Sequence, residues 1–187
     1  MKRKGLEEAL IVHCAPTLAG MKSAGLFSYY YYDAQHVRRE LREVNALLNQ
    51  KGVYVEVLLW REESVLVYAY RMAMLEKELA QPGAAKLLQR YGYQDSETTD
   101  CLRHLKGRLV QSSCFPHEIG VFLGYPLEDV EGFIENKGKN CKSCGLWKVY
   151  CNQAEKDKLF HKLKNCTQVY VQVFGEGRKL SEMTVYT

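Results

Sequence analysis

Val53-Tyr54-Val55-Glu56-Val57-Leu58-Leu59-Trp60, then Arg61-Glu62-Glu63-Ser64, then Val65-Leu66-Val67-Tyr68-Ala69-Tyr70, is the stretch that decides the fold class. Successive side chains of a strand point to opposite faces. Strict alternation would therefore put Val53, Val55, Val57 and Leu59 on one face and Tyr54, Glu56, Leu58 and Trp60 on the other. Both runs are rich in β-branched and aromatic residues, and the polar tetrad between them supplies a four-residue connection. An antiparallel hairpin is predicted.

Moving outward, the pattern turns helical on both sides. Upstream, the cluster Tyr29 to Tyr32 leads to Asp33, a helix cap, and Val37, Leu41, Val44 and Leu48 then recur on one helical face until Gly52. Further upstream, Ala9-Leu10-Ile11-Val12 reads as a short strand. It runs into a tight loop at His13-Cys14-Ala15-Pro16-Thr17-Leu18-Ala19-Gly20, because Pro16 biases Ala15 towards extended backbone. Downstream, three apolar stripes predict helices: Met72/Leu75/Leu79, Leu87/Leu88/Tyr91, and Leu102/Leu105/Leu109, the last capped at Asp95/Ser96. Two short helices opened by Pro116 and Pro126 follow, then a Lys/Gly/Asn loop at 136–140 and a strand near Trp147 to Tyr150. A helix capped by Asn152 and Glu155 comes next. Residues 169–174 fit strand or helix. The expectation is an α+β single domain, residues 1–187: a small, mainly antiparallel sheet on the 53–70 hairpin, joined by 146–150 and by 9–14, packed by helices.

The whole composition agrees with a folded globular chain, 47% hydrophobic and 26% charged. A net charge of +4 is too small, unless gathered in one patch, to argue for nucleic acid or a membrane surface. No apolar run is long enough to span a bilayer, and Met1 to Gly5 is basic without the features of a signal peptide. Seven cysteines, an odd number, point to reduced thiols and a cytoplasmic location.

Three segments carry chemistry. The stretch 13–23 gathers His13, Cys14, Thr17 and Lys22 among small residues, a composition that lets backbone amides and an ammonium approach an anionic or planar ligand. A ligand site is preferred there to a merely structural turn. A nucleophilic Cys14 would need a base from elsewhere, and His117 is of the right type. The second segment, Pro116 to Glu135, has the glycine and apolar spacing of a helix-turn-helix. It carries Glu118, Asp129 and three further carboxylates but no Lys or Arg, so a helical hairpin is predicted and DNA reading through it is not. His117 and Glu118 would fall in the first turn of its first helix, where the dipole favours a neutral imidazole and an ionised carboxylate. In the third segment, Cys141-Lys142-Ser143-Cys144 lacks a second tight pair, Cys151 and Cys166 being fifteen residues apart, and is read as spectator thiols with no metal. Arg71 is read as a surface residue.

The motifs His13-Cys14-Ala15-Pro16-Thr17-Leu18-Ala19-Gly20 with Lys22, Phe115-Pro116-His117-Glu118-Ile119-Gly120 through Leu123-Gly124-Tyr125-Pro126-Leu127-Glu128-Asp129-Val130, and Gly145-Leu146-Trp147-Lys148-Val149-Tyr150 cover much of the chain. Together they resemble a family of uncharacterised proteins from anaerobic Gram-positive, clostridial bacteria, catalogued as a domain of unknown function. The resemblance implies a lineage and no activity. Through neighbouring flavodoxin and iron-handling genes it implies a redox- or haem/iron-linked role. The CxxC is the less characteristic part of the match.

The leading expectation is a small-molecule or cofactor-binding protein, its ligand and cofactor unspecified, with a site formed by His13, Cys14, Thr17, Lys22, His117 and Glu118. One alternative is an enzyme using Cys14 or His117 there. Another is an interaction module whose acidic hairpin, 116–135, docks a basic or redox partner protein. Neither nucleic acid nor membrane is an expected partner.

Overall fold

In the computed structural model, which describes residues 5–94, 97–111 and 115–186, the 53–70 region is a hairpin and the chain is α+β. Asp95, Ser96 and Cys114 lie outside the described residues. The chain divides into two compact units, one of residues 1–74 and 165–187, the other of residues 75–164.

The first unit is built on a three-stranded antiparallel sheet: β1 (Ala24–Tyr30), β2 (Val53–Trp60) and β3 (Ser64–Arg71), in the order β1-β3-β2. The β2–β3 connection is three residues, not four, because Ser64 already pairs with Tyr30. The simple face alternation of β2 also fails at its end. A bulge between Val57 and Leu59 shifts the register so that Leu59, not Leu58, lies opposite Leu66. Leu58 is buried and Leu59 half-buried.

One face of this sheet carries Phe27, Val53, Val55, Val65, Val67 and Ala69 into an apolar core. That core is completed by α1 (Leu6–Leu18), α2 (Ala34–Leu48), α9 (Leu180–Met183) and the last turns of α8 (Gln153–Gly175). Asp33 caps α2 by accepting from the Gln35 amide at 2.9 Å. Val37, Val44 and Leu48 are buried, and Gly52 closes the following 3-10 turn at φ 74°. Tyr29 and Tyr31 pack on the core while Tyr30 and Tyr32 are exposed, the alternation of an edge strand running out of its sheet.

Two expectations for the N-terminal region are corrected. Residues 9–14 are not a strand, and 13–18 is not a loop: both lie in α1, with Pro16 inside its last turn, and only Ala19 and Gly20 of the expected loop form a turn beyond it. Burial explains the misreading. Nine of thirteen α1 residues are buried, so the helix shows no one-sided stripe and its apolar run looks like a strand. Pro16 has no amide to donate back into the helix, and the carbonyls from Pro16 onward are satisfied beyond it. The Pro16 carbonyl accepts from the Met21 and Lys22 amides, and the carbonyls of Thr17 and Leu18 accept from the guanidinium of Arg71 at 2.5 and 2.6 Å. Arg71 also donates to the Val185 carbonyl at 3.0 Å. Arg71 is therefore no surface arginine. It is wholly buried, and desolvation pulls its pKa below the usual guanidinium value.

A close packing contact fixes α1 against β1. A Cβ built on Gly25 would sit 2.6 Å from the Cys14 sulfur, so only glycine lets Cys14 reach the sheet. Gly25→Ala should lower stability by about 1–3 kcal/mol, the range for overpacked cores. Adding Cys14→Ala should return part of that loss, a coupling read from denaturant midpoints of the two single variants and the double variant. Strict additivity would contradict the packing.

The second unit holds α4 (Pro82–Gln89), α5 (Thr98–Gln111), α6 (Ile119–Phe122), α7 (Leu127–Glu135) and most of α3 (Met72–Leu79). Leu75, Leu79, Leu87, Leu88, Leu102, Leu105 and Leu109 are buried, as the three stripes predict, while Met72 and Tyr91 of the same stripes are half-buried. The strand near 147–150 does not join the hairpin sheet. Lys148–Val149 (β5) pairs with Ser143–Cys144 (β4) as a separate two-stranded ribbon. Residues 169–174 are helical, within α8.

Candidate functional site

The α6–α7 pair and the β4–β5 ribbon enclose a concave feature of the second unit. Gly120 lets the two helices close, since a Cβ there would lie 2.8 Å from Val130. Gly132 does the same between α7 and the ribbon, where a Cβ would lie 2.5 Å from Tyr150.

Asp129 fastens the ribbon to α7. Although it is a carboxylate on an acidic helix, it is 2% exposed. Oδ2 accepts from the Trp147 indole at 2.9 Å, and Oδ1 accepts from the Tyr150 amide at 2.8 Å and the Cys151 amide at 3.4 Å. A buried carboxylate with this donor set is stabilised by charge-assisted hydrogen bonds, and each donor in turn depends on it. Trp147 is further held by Tyr125, stacked at 4.8 Å, and by Phe160, edge-on at 4.5 Å.

Between these walls lies a cleft of about 340 Å³. Tyr125, Phe133 and Trp147 give it aromatic surface, Ile119, Leu123 and Val130 its apolar floor, and Phe115 and Leu146 exposed rims. Three further groups bring chemistry to it: His117, Lys148 and the exposed thiol of Cys144. His117 meets the edge of Phe133 at 5.0 Å. The Lys148 ammonium donates to the Gly138 carbonyl at 2.6 Å and stands 5.8 Å from the Phe133 ring centre.

The six expected site residues are distributed as follows. His13, Cys14, Thr17 and Lys22 belong to the first unit, His117 and Glu118 to the second. Of the six, His117 lines the cleft. His13 is exposed and stacked on Phe27 at 5.0 Å, and Lys22 donates to the Ala24 carbonyl. Thr17 is buried at the end of α1. Cys14 is buried too, and desolvation pushes its thiol pKa up to about 12 against the lowering effect of the Lys22 charge. Burial of this kind favours the protonated thiol over the thiolate.

His117 and Glu118 were expected in the first turn of a helix. They form the turn preceding α6, which is a single turn of four residues. Their side chains part company there. Glu118 is wholly buried, ion-paired with Arg108 of α5, and accepts from the Tyr93 hydroxyl at 3.3 Å. Desolvation by burial, and then the Glu118 carboxylate, raise the Tyr93 pKa well above its ordinary value.

Tyr125, Asp129, Phe133, Trp147 and Lys148 make the cleft but were not expected as site residues. Spacing could not have found them, because Asp129 meets partners 18–22 positions away. The available signal was the Gly145-Leu146-Trp147-Lys148-Val149-Tyr150 motif itself.

The two CxxC thiols differ from Cys14. Cys144 is exposed and Cys141 half-buried. Among the described residues, no group of three His, Cys, Asp or Glu side chains is placed to hold a metal ion. Brief alkylation of the native protein should label Cys144 first and Cys14 only after unfolding, as read by peptide mass spectrometry. Labelling of native Cys14 at the rate of Cys144 would refute its burial. The same shift has a pH consequence. A thiol whose folded pKa lies above its unfolded value of 9.0 stabilises fully below pH 9, and that contribution falls as pH rises through the folded value.

The site thus defines an α+β protein with an aromatic-walled cleft. By sequence, a family model described as a protein of unknown function (DUF3793) matches residues 10–184, and the chain belongs to that family. No curated protein and no solved structure matches it. Among the described residues, no helix is long and apolar enough to cross a membrane.

Proposed function

We propose that the protein binds a small aromatic molecule in the cleft between α6–α7 and the β4–β5 ribbon. One observation carries the reading: a concave, largely apolar cavity lined by Phe115, Tyr125, Phe133 and Trp147 with a few convergent polar groups, the usual composition of a small-molecule site. Its volume of about 340 Å³ stands at the small end of such sites, which favours a one- or two-ring ligand over a tetrapyrrole. A redox-linked role would then rest on the ligand rather than on Cys14. The exposed rims Phe115 and Leu146, 45% and 52% accessible, favour as a second reading the docking of a partner protein's aromatic side chain in the same cleft.

Screening one- and two-ring aromatic compounds by ligand-observed NMR, against the protein and against Cys144→Trp, tests the first reading. Cys144 is exposed and lines the cleft, so the larger ring should obstruct the cavity at little cost in folding. Saturable binding abolished by Cys144→Trp is expected. Binding that survives the substitution would place the ligand elsewhere.

A further inference from the structure

The polar groups that face the cleft are not balanced between donors and acceptors. Asp129 lines it, but its two oxygens already accept from the Trp147 indole and from two backbone amides. Of the other carboxylates on that wall, Glu118 is paired with Arg108 and Glu128 with Lys156 at 2.9 Å. Glu131 and Glu135 are not among the lining residues. Lys148 brings three ammonium donors and is bonded to the Gly138 carbonyl through one. His117 is exposed at the cleft, with its ring against Phe133. The segment that supplies the ribbon wall, residues 136–154, contains Lys137, Lys139, Lys142 and Lys148 and no Asp or Glu. Lys137, Lys139 and Lys142 are exposed.

From this imbalance we infer that the ligand of the cleft is an aromatic carboxylate, its ring against Phe133 and Tyr125 and its carboxylate against Lys148 and His117. The inference rests on the ligand-binding reading above and names the ligand's class. The apolar floor and aromatic walls supply affinity for the ring without regard to charge. The ammonium supplies selectivity, because a charge-assisted hydrogen bond in a partly desolvated cleft is about twice as strong as a neutral one. A cationic ligand would meet Lys148 as a like charge and find the lone pairs of Asp129 already occupied.

The test compares three probes of one ring system, 2-naphthoate, 2-naphthamide and 2-naphthylmethylammonium, by calorimetry on the full chain. The expected order is carboxylate, amide, ammonium, with the carboxylate bound about tenfold more tightly than the amide. Lys148→Met should abolish the carboxylate-to-amide ratio while amide binding persists, and Lys148→Arg should restore most of the ratio. The ratio separates charge recognition from a structural role, since loosening of the 138–148 loop would weaken both probes alike. Equal affinity for all three probes, or preference for the ammonium, would overturn the inference and leave the ligand site standing. Binding of none of the three would remove both.

Discussion

Arg71→Met is expected to destabilise the first unit by about 2–6 kcal/mol, two buried carbonyls each losing a donor at roughly 1–3 kcal/mol. The substitution keeps much of the side-chain volume but strips the donors from the carbonyls of Thr17 and Leu18, at the end of a helix that also contains a proline. It also frees the Val185 carbonyl, so three segments far apart in sequence lose one common tie. Some of the loss is offset, because methionine carries no charge to desolvate. Arg71→Lys should fall in between, since an ammonium cannot present the planar fork of a guanidinium. The two tryptophans allow the units to be followed separately, Trp60 in the first and Trp147 in the second. In a Trp147→Phe background, Trp60 emission should report a large drop in the urea midpoint. A change below about 1 kcal/mol, the range of exposed ion pairs, would show that Arg71 is not a keystone.

The second large effect is expected at Asp129. Asp129→Ala leaves the Trp147 indole and the Tyr150 amide without their acceptor, and each buried donor so stranded costs roughly 1–3 kcal/mol. Asp129→Asn keeps the shape and one acceptor oxygen but turns an amide towards one of the donors, so an intermediate loss is expected. Because Asp129 holds the ribbon to α7, the alanine variant should lose ligand affinity as well as stability. Read by Trp147 emission in a Trp60→Phe background, the transition should move to lower urea. A variant with unchanged stability and intact binding would show that the ribbon is held by packing alone.

How much of this was legible in the sequence depended on whether a residue's environment was set locally. The hairpin, the Asp33 cap, the α2 stripe and the helix after Pro126 follow from period and punctuation, and the structure has them, whereas the helix expected to open at Pro116 starts only at Ile119. Element α1 was not legible, because a helix buried on most sides loses the one-sided pattern that marks helices, and Pro16 misdirects the reading of its end. The bulge at Val57/Leu59 was hidden for a related reason: Leu58 and Leu59 are equally apolar, so nothing in the run shows where the register shifts. The acidic count of 116–135 correctly described the charge of that segment but could not separate solvated carboxylates from Asp129 and Glu118, whose partners come from other elements. Of the expected site residues, His117 lines the cleft because its turn is short and local. Trp147 and Lys148 needed the ribbon's pairing, which no spacing rule supplies.

The most direct measurement of the central claim is the pair of tryptophan indole N–H resonances, one from each unit, during titration with 2-naphthoate. The cleft account predicts a saturable shift of the Trp147 resonance with that of Trp60 unmoved, and no shift of either in Cys144→Trp. An unmoved Trp147 resonance at a concentration where the ligand is bound, or the same shift persisting in Cys144→Trp, would contradict it.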